Sequence, residues 1–131
     1  MPKNYLVLLL SALLLFSCTK KDKVQIKSEP AEEEAVVSIY IDAVEALKVG
    51  DAFYAGKKFK EVETLMPQSE WAAKASLMAS YSDYSRNAYT DSIFGLERHI
   101  NNYPADKNIP YAHYLMAMCY YEQILDEKKD L

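Results

Sequence analysis

The sequence predicts an all-α fold, an array of repeated helix pairs preceded by a short apolar leader. Three observations predict it. From Ala31 onward apolar residues recur at helical spacing, without the strand-like alternation that turn signals would bound. Gly and Pro fall where helices should stop, at Gly50, Pro67 and Pro104. The helical segments also match one another when shifted by 37 or 40 residues.

The leader comes first. Lys3 supplies a basic start, Tyr5 to Phe16 an apolar run, and Ser17 the small residue that a signal peptidase requires at its cleavage site. The run is shorter than the roughly 20 apolar residues that cross a bilayer. Cys18 follows Ser17 directly and lies three residues after Leu15, so residues 1–17 read as a lipoprotein signal peptide. An uncleaved anchor or an ordinary secretory signal is the plainer alternative. On the lipoprotein reading Cys18 becomes the first mature residue and its thiol carries lipid. One acyl chain binds membranes only marginally, at ~0.8 kcal/mol per buried CH₂. Bacterial lipoproteins, which this start resembles, carry three on that Cys. Thr19 stands where many inner-membrane lipoproteins of that class carry Asp, which points to the outer membrane and its periplasmic face. Residues 18–30 are polar, Lys-rich and aperiodic, and read as a flexible tether reaching about 40 Å when extended.

The helices follow in order. Glu32, Glu33 and Glu34 sit in a first turn after Pro30, where acidic side chains complement the helix N-terminal dipole, and Val36, Ile39, Ala43 and Ala46 form the inward stripe. Gly50-Asp51 makes a tight turn. A second helix carries Ala55, Phe59, Val62 and Met66 on one face and stops before Pro67. Ser69 caps a third, with Trp71, Ala75, Met78 and Ala79 inward. A fourth presents Ile93, Leu96, Ile100 and Tyr103 and ends before Pro104. Asn108 and Pro110 start a fifth, which runs through Ala112, Leu115, Cys119 and Ile124.

A shift of 37 lays Ala55 on Ser92, Phe59 on Leu96, Met66 on Tyr103 and Pro67 on Pro104; a shift of 40 lays Trp71 on Tyr111 and Met78 on Met118. Ala43, Ala79 and Cys119 share one position of the three first helices, where neighbours must pack closely. A helix-turn-helix unit of this length, with Ala55-x3-Phe59 and a closing Pro67, resembles a tetratricopeptide repeat. Asp42-Ala43 and Ala46 stand where that repeat has Leu-Gly and Tyr, and the spacing exceeds its usual ~34 residues, so the unit is divergent. The array is expected to span residues 31–131, with repeats at 31–67 and 68–104 and the start of a third at 105–131.

The leader and tether, with Pro-Gln-Ser-Glu-Trp-Ala (67–72), Leu-Glu-Arg-His-Ile-Asn-Asn-Tyr-Pro (96–104) and Asn-Ile-Pro-Tyr-Ala-His-Tyr-Leu-Met-Ala-Met-Cys-Tyr-Tyr-Glu-Gln (108–123), together resemble the BamD family. These are the lipoprotein subunits of the bacterial machine that inserts β-barrels into the outer membrane. The likeness runs the length of the chain, and the third segment is the most specific. The family has about five repeats, whereas about two and a half fit here. The expectation is therefore an N-terminal half, or an array that a partner completes.

Composition excludes several classes. Net charge is −4 and no basic cluster is present, so nucleic acid is not an expected partner. There are two cysteines; with Cys18 acylated, Cys119 has none to pair with and reads as a small core residue between Met118 and Tyr120. His99 and His113 lie on different helices, Gly50, Gly56 and Gly95 are isolated, and there is no HExxH, paired Cys or phosphate loop. His99 matches Val62 of the first repeat and reads as a packed helix residue. No enzyme, metal or cofactor is expected.

What remains is tyrosine, eleven in the chain. First helices of a solenoid's repeats line its concave side, so Tyr81, Tyr84, Tyr111 and Tyr114 are candidates for an aromatic groove that receives a peptide; inter-repeat packing is the plainer role for each singly. The resemblance implies an assembly scaffold that holds the barrel-forming subunit of the complex and receives the aromatic C-terminal signal of unfolded barrel proteins. Arg86 and Arg98 are, by residue type, candidate partners for that signal's carboxylate. The alternative is a general periplasmic adaptor for cell-wall or division proteins.

Overall fold

The computed structural model describes residues 30–129, with side chains through Ile124. Five helices follow one another and no strand occurs among these residues: α1 Pro30–Lys48, α2 Ala52–Leu65, α3 Glu70–Ser85, α4 Tyr89–Asn102 and α5 Ile109–Lys129. The array is all-α and tetratricopeptide-like, as the periodicity predicts. The signal peptide, Cys18 and the tether up to residue 29 lie outside the described residues.

Local chemistry sets the boundaries. Pro30 opens α1, where its missing N–H costs no helical bond, and Glu32 and Glu33 occupy the first turn. Gly50 takes φ 90° and so turns the chain from α1 into α2. Asp51 caps α2 by accepting from the Tyr54 N–H, and Ser69 caps α3 by accepting from the Ala72 N–H at 3.1 Å. The α3–α4 turn relies on Asn87 at φ 63°, a left-handed conformation that Asn tolerates better than most residues. Asn108 precedes α5, its carbonyl accepting from Ala112 at 3.0 Å.

Consecutive helices pack antiparallel around two linked cores. Val36 and Ala43 of α1, Ala55, Phe59 and Val62 of α2, and Ala75 and Ala79 of α3 form the first. Leu77 of α3, Ile93 and Leu96 of α4, and Ala112, Leu115 and Cys119 of α5 form the second. Helix α3 thus serves both, which is how a solenoid's units stabilise one another. The shared small position is real: Ala43, Ala79 and Cys119 are each at most 1% exposed. The Cys119 thiol donates to Ser92 Oγ at 3.4 Å, so it is a core residue with a weak polar partner.

Several expected core positions differ. Trp71 and Met78 are half-buried against the first core rather than enclosed. Ile124 is 53% exposed. It lies five residues after Cys119, about 140° around the helix at 3.6 residues per turn, and so falls off the buried face of α5. Tyr103 caps the end of α4 instead of lying on its inward face.

Candidate functional site

The odd-numbered helices touch along the array, α1 with α3 and α3 with α5, whereas α2 and α4 do not reach each other through their backbones. The units therefore close up on the odd-helix side and splay on the other. This makes the surface of α1, α3 and α5 the concave one.

Tyrosines gather where α3 meets α5. Tyr81 and Tyr84 share a face of α3, ring centroids 6.3 Å apart, and Tyr84 meets Tyr89 of α4 at 5.8 Å. Tyr111 and Tyr114 repeat the arrangement on α5, also at 6.3 Å. Tyr81, Tyr84 and Tyr89 rest on the second core, whereas Tyr111 and Tyr114 are 43% and 60% exposed. The two pairs are neighbours. Burial pushes the Tyr111 hydroxyl up from its ordinary range, and Tyr81 and Tyr114 add to the shift. Burial does the same to Tyr84, with Glu122 next and Tyr89, Cys119 and Tyr114 contributing. These two hydroxyls therefore stay protonated at neutral pH, able to donate and accept.

The two arginines are held elsewhere. Arg86 caps the end of α3 and donates through Nε and Nη2 to Asp83 Oδ1 at 3.1 and 2.9 Å, and through Nη2 to Asp91 at 3.3 Å; it also faces the Phe53 ring of α2. Arg98 of α4 donates to Glu63 of α2 at 2.9 Å. Both engage the splayed, even-helix side. The structure brings the four tyrosines together and places neither arginine with them.

Sequence reasoning missed what bridges the first two units. Glu63, only 11% exposed at its side chain, accepts from Arg98, and the Tyr103 hydroxyl donates to the Pro67 carbonyl at 3.2 Å beside it. Desolvation, then Glu63, pushes the Tyr103 pKa above its ordinary value, so the hydroxyl keeps its proton. The signal lay in the 37-residue shift, which puts Tyr103 at the place of Met66: an aromatic with a polar end replaces a flexible apolar one. Tyr89 was also missed.

Among the described residues, no three His, Cys, Asp or Glu side chains gather as a metal site, and no helix is long and apolar enough to cross a membrane. A cleft of about 460 Å³ between the start of α3 and the α4–α5 loop is lined by Glu70, Lys74, Tyr103 and Asp106, away from the tyrosines of α5.

Residues 32–131 match the family described as outer membrane lipoprotein, YfiO. The chain is 38% identical over 99 residues to the outer membrane protein assembly factor BamD of Caulobacter vibrioides, covering 76% of this chain and 32% of that protein. It is 30% identical over 124 residues to the BamD of Rickettsia prowazekii, covering 94% and 47%, and 25% identical over 117 residues to that of Xylella fastidiosa, covering 89% and 39%. The chain thus spans a third to a half of the length of these curated relatives. With the match running from the first turn of α1 through α5, the chain belongs to the YfiO family of outer membrane lipoproteins.

Proposed function

We propose that the chain is a non-enzymatic scaffold in the assembly of outer-membrane β-barrel proteins, held at the periplasmic face of the outer membrane by lipid on Cys18. The name shared by its relatives, outer membrane protein assembly factor, supports the general role. Among features of the chain itself, the observation that carries the finer reading is the tyrosine cluster across α3 and α5. Tyr81 and Tyr84 form a base seated on the core, and Tyr111 and Tyr114 form an exposed wall. Large aromatic groups bind apolar side chains at little entropic cost, and their hydroxyls pair with an extended backbone. An unfolded barrel protein's aromatic C-terminal segment has the matching chemistry. The other partners on this reading are further subunits of the assembly complex, above all the barrel-forming one.

The test is binding of a fluorescent peptide that copies an aromatic barrel terminus to the chain and to its Tyr111→Ala/Tyr114→Ala form. Both residues are exposed, so helicity should persist, while the dissociation constant rises at least tenfold. Unchanged affinity with unchanged helicity removes the groove. Recovery of cell-wall or division proteins in place of a barrel-forming subunit, on purification from envelopes, would favour the adaptor reading.

A further inference from the structure

The α4–α5 junction buries polar atoms that no other protein group hydrogen-bonds. His99 is fully enclosed, and neither ring nitrogen has a hydrogen-bond partner. Its Nε2 lies 3.6 Å from Asp106 Oδ2, too far for a hydrogen bond, and that oxygen is unpartnered too. Asp106 Oδ1 meanwhile accepts from the Asn108 backbone N–H and side-chain amide at 3.0 and 3.1 Å, fixing the turn that starts α5. On α3, Ser80 abuts Gly95 of α4. In that antiparallel register Ser76, one turn earlier, falls level with His99, one turn later, and Ser76 Oγ also lacks a partner.

Packing alone does not require this chemistry. In the first unit the position of His99 is Val62, fully buried, and the shorter turn that leads into α3 is held by Ser69, a simple helix cap. The same junction is built there without an ionisable pair.

We propose that His99 and Asp106 form an acid-sensitive latch on the α4–α5 junction that positions the first two turns of α5, the turns carrying Tyr111 and Tyr114. The latch concerns the junction's folding and stands whatever the tyrosine face binds. Four ionisable groups face the imidazole: Glu63 from α2, Arg98 and Tyr103 from α4, and Asp106 from the loop. Burial is the largest influence and disfavours the charged ring. Asp106 and Glu63 favour it, Arg98 opposes it, and the net direction is downward. A group whose proton affinity falls on folding binds more protons when unfolded. Its contribution is therefore complete above the unfolded value of about 6.5 and shrinks as pH falls below it. An imidazolium must draw Asp106 inward or admit water, and either movement disturbs the turn that Asp106 holds.

Amide hydrogen exchange on the full chain between pH 7.5 and pH 5, corrected for intrinsic rates, tests this. Protection at 103–112 should fall below pH ~6.5, by up to about tenfold per pH unit. The equivalent amides at 66–72 should not follow. His99→Leu, which imitates Val62, should flatten the response at 103–112. Protection independent of pH, or a pH response that survives His99→Leu, overturns the latch. Should that variant fail to fold, the wild-type imidazole signal decides by NMR: titration below about 6.5 supports the latch, and titration at or above it overturns it.

Discussion

Single residues decide how closely the helices approach. A Cβ added at Gly95 would collide with the Ser80 hydroxyl and lie 3.3 Å from the Ser80 Cβ, while that hydroxyl donates to the Ser76 carbonyl and the Ser80 carbonyl accepts from Ser92 Oγ at 2.8 Å. Ser76, Ser80 and Ser92 are all at most 2% exposed, so the seam between α3 and α4 is made of small polar side chains whose hydroxyls mostly bond backbone. Gly95→Ala gains up to about 1 kcal/mol of helix propensity. It also overpacks the seam, which costs about 1–3 kcal/mol. The expected outcome is a net loss, seen as a lower urea midpoint with unchanged slope; a higher midpoint would show that Ser80 can turn away freely. None of this was legible in the sequence, where Gly95 is one isolated glycine among three. Its role arises from a serine 15 positions away, brought opposite by the turn at Asn87. The arginines illustrate the same limit. Residue type identifies Arg86 and Arg98 as cations, but the buried carboxylates of Asp83 and Glu63 determine where they point.

At the scale of the element, the sequence is far more legible, because a helix's inward stripe is a periodic property of that helix alone. Ala55, Phe59 and Val62 are all fully buried on α2, and Ala112, Leu115 and Cys119 are nearly so on α5. The stripe ends at Cys119: Ile124, five residues on, lies about 140° around the helix at 3.6 residues per turn and faces outward. Phe59 is the test of how α2 docks. Its ring is fully enclosed and meets Tyr40 of α1 edge-on at 5.2 Å, and Tyr40 in turn meets Trp71 of α3 at 5.3 Å. One side chain thus joins three helices. Phe59→Ala removes that ring and leaves a cavity that fully helical neighbours cannot close, for a loss of about 3–5 kcal/mol. A change below about 1 kcal/mol by chemical denaturation would mean that α2 is not clamped between α1 and α3.

At the scale of the whole molecule, the question is what holds the array at a membrane. Membership of an outer membrane lipoprotein family calls for attachment, and no described helix is long and apolar enough to provide it. On the reading proposed above, the attachment is the leader ending in Ser17-Cys18, a signal legible in sequence because a signal peptide is recognised as an unfolded segment. Acylation at Cys18 would place several chains in the bilayer at ~0.8 kcal/mol per buried CH₂, enough for stable anchoring where one chain is not. The tether to α1 would then let the concave face stand up to about 40 Å from the surface, within reach of a polypeptide emerging beside the membrane. Cys18→Ser removes the thiol and leaves the helices untouched. The wild-type chain should sediment with outer-membrane vesicles and shift in mass by the attached lipid. The variant should show neither, while keeping the same helicity and the same peptide affinity in solution. A variant that still sediments would mean that the folded array binds the membrane or a resident protein by its own surface. The exposed side chains of Tyr120, Tyr121 and Ile124 on α5 would then be the first place to look.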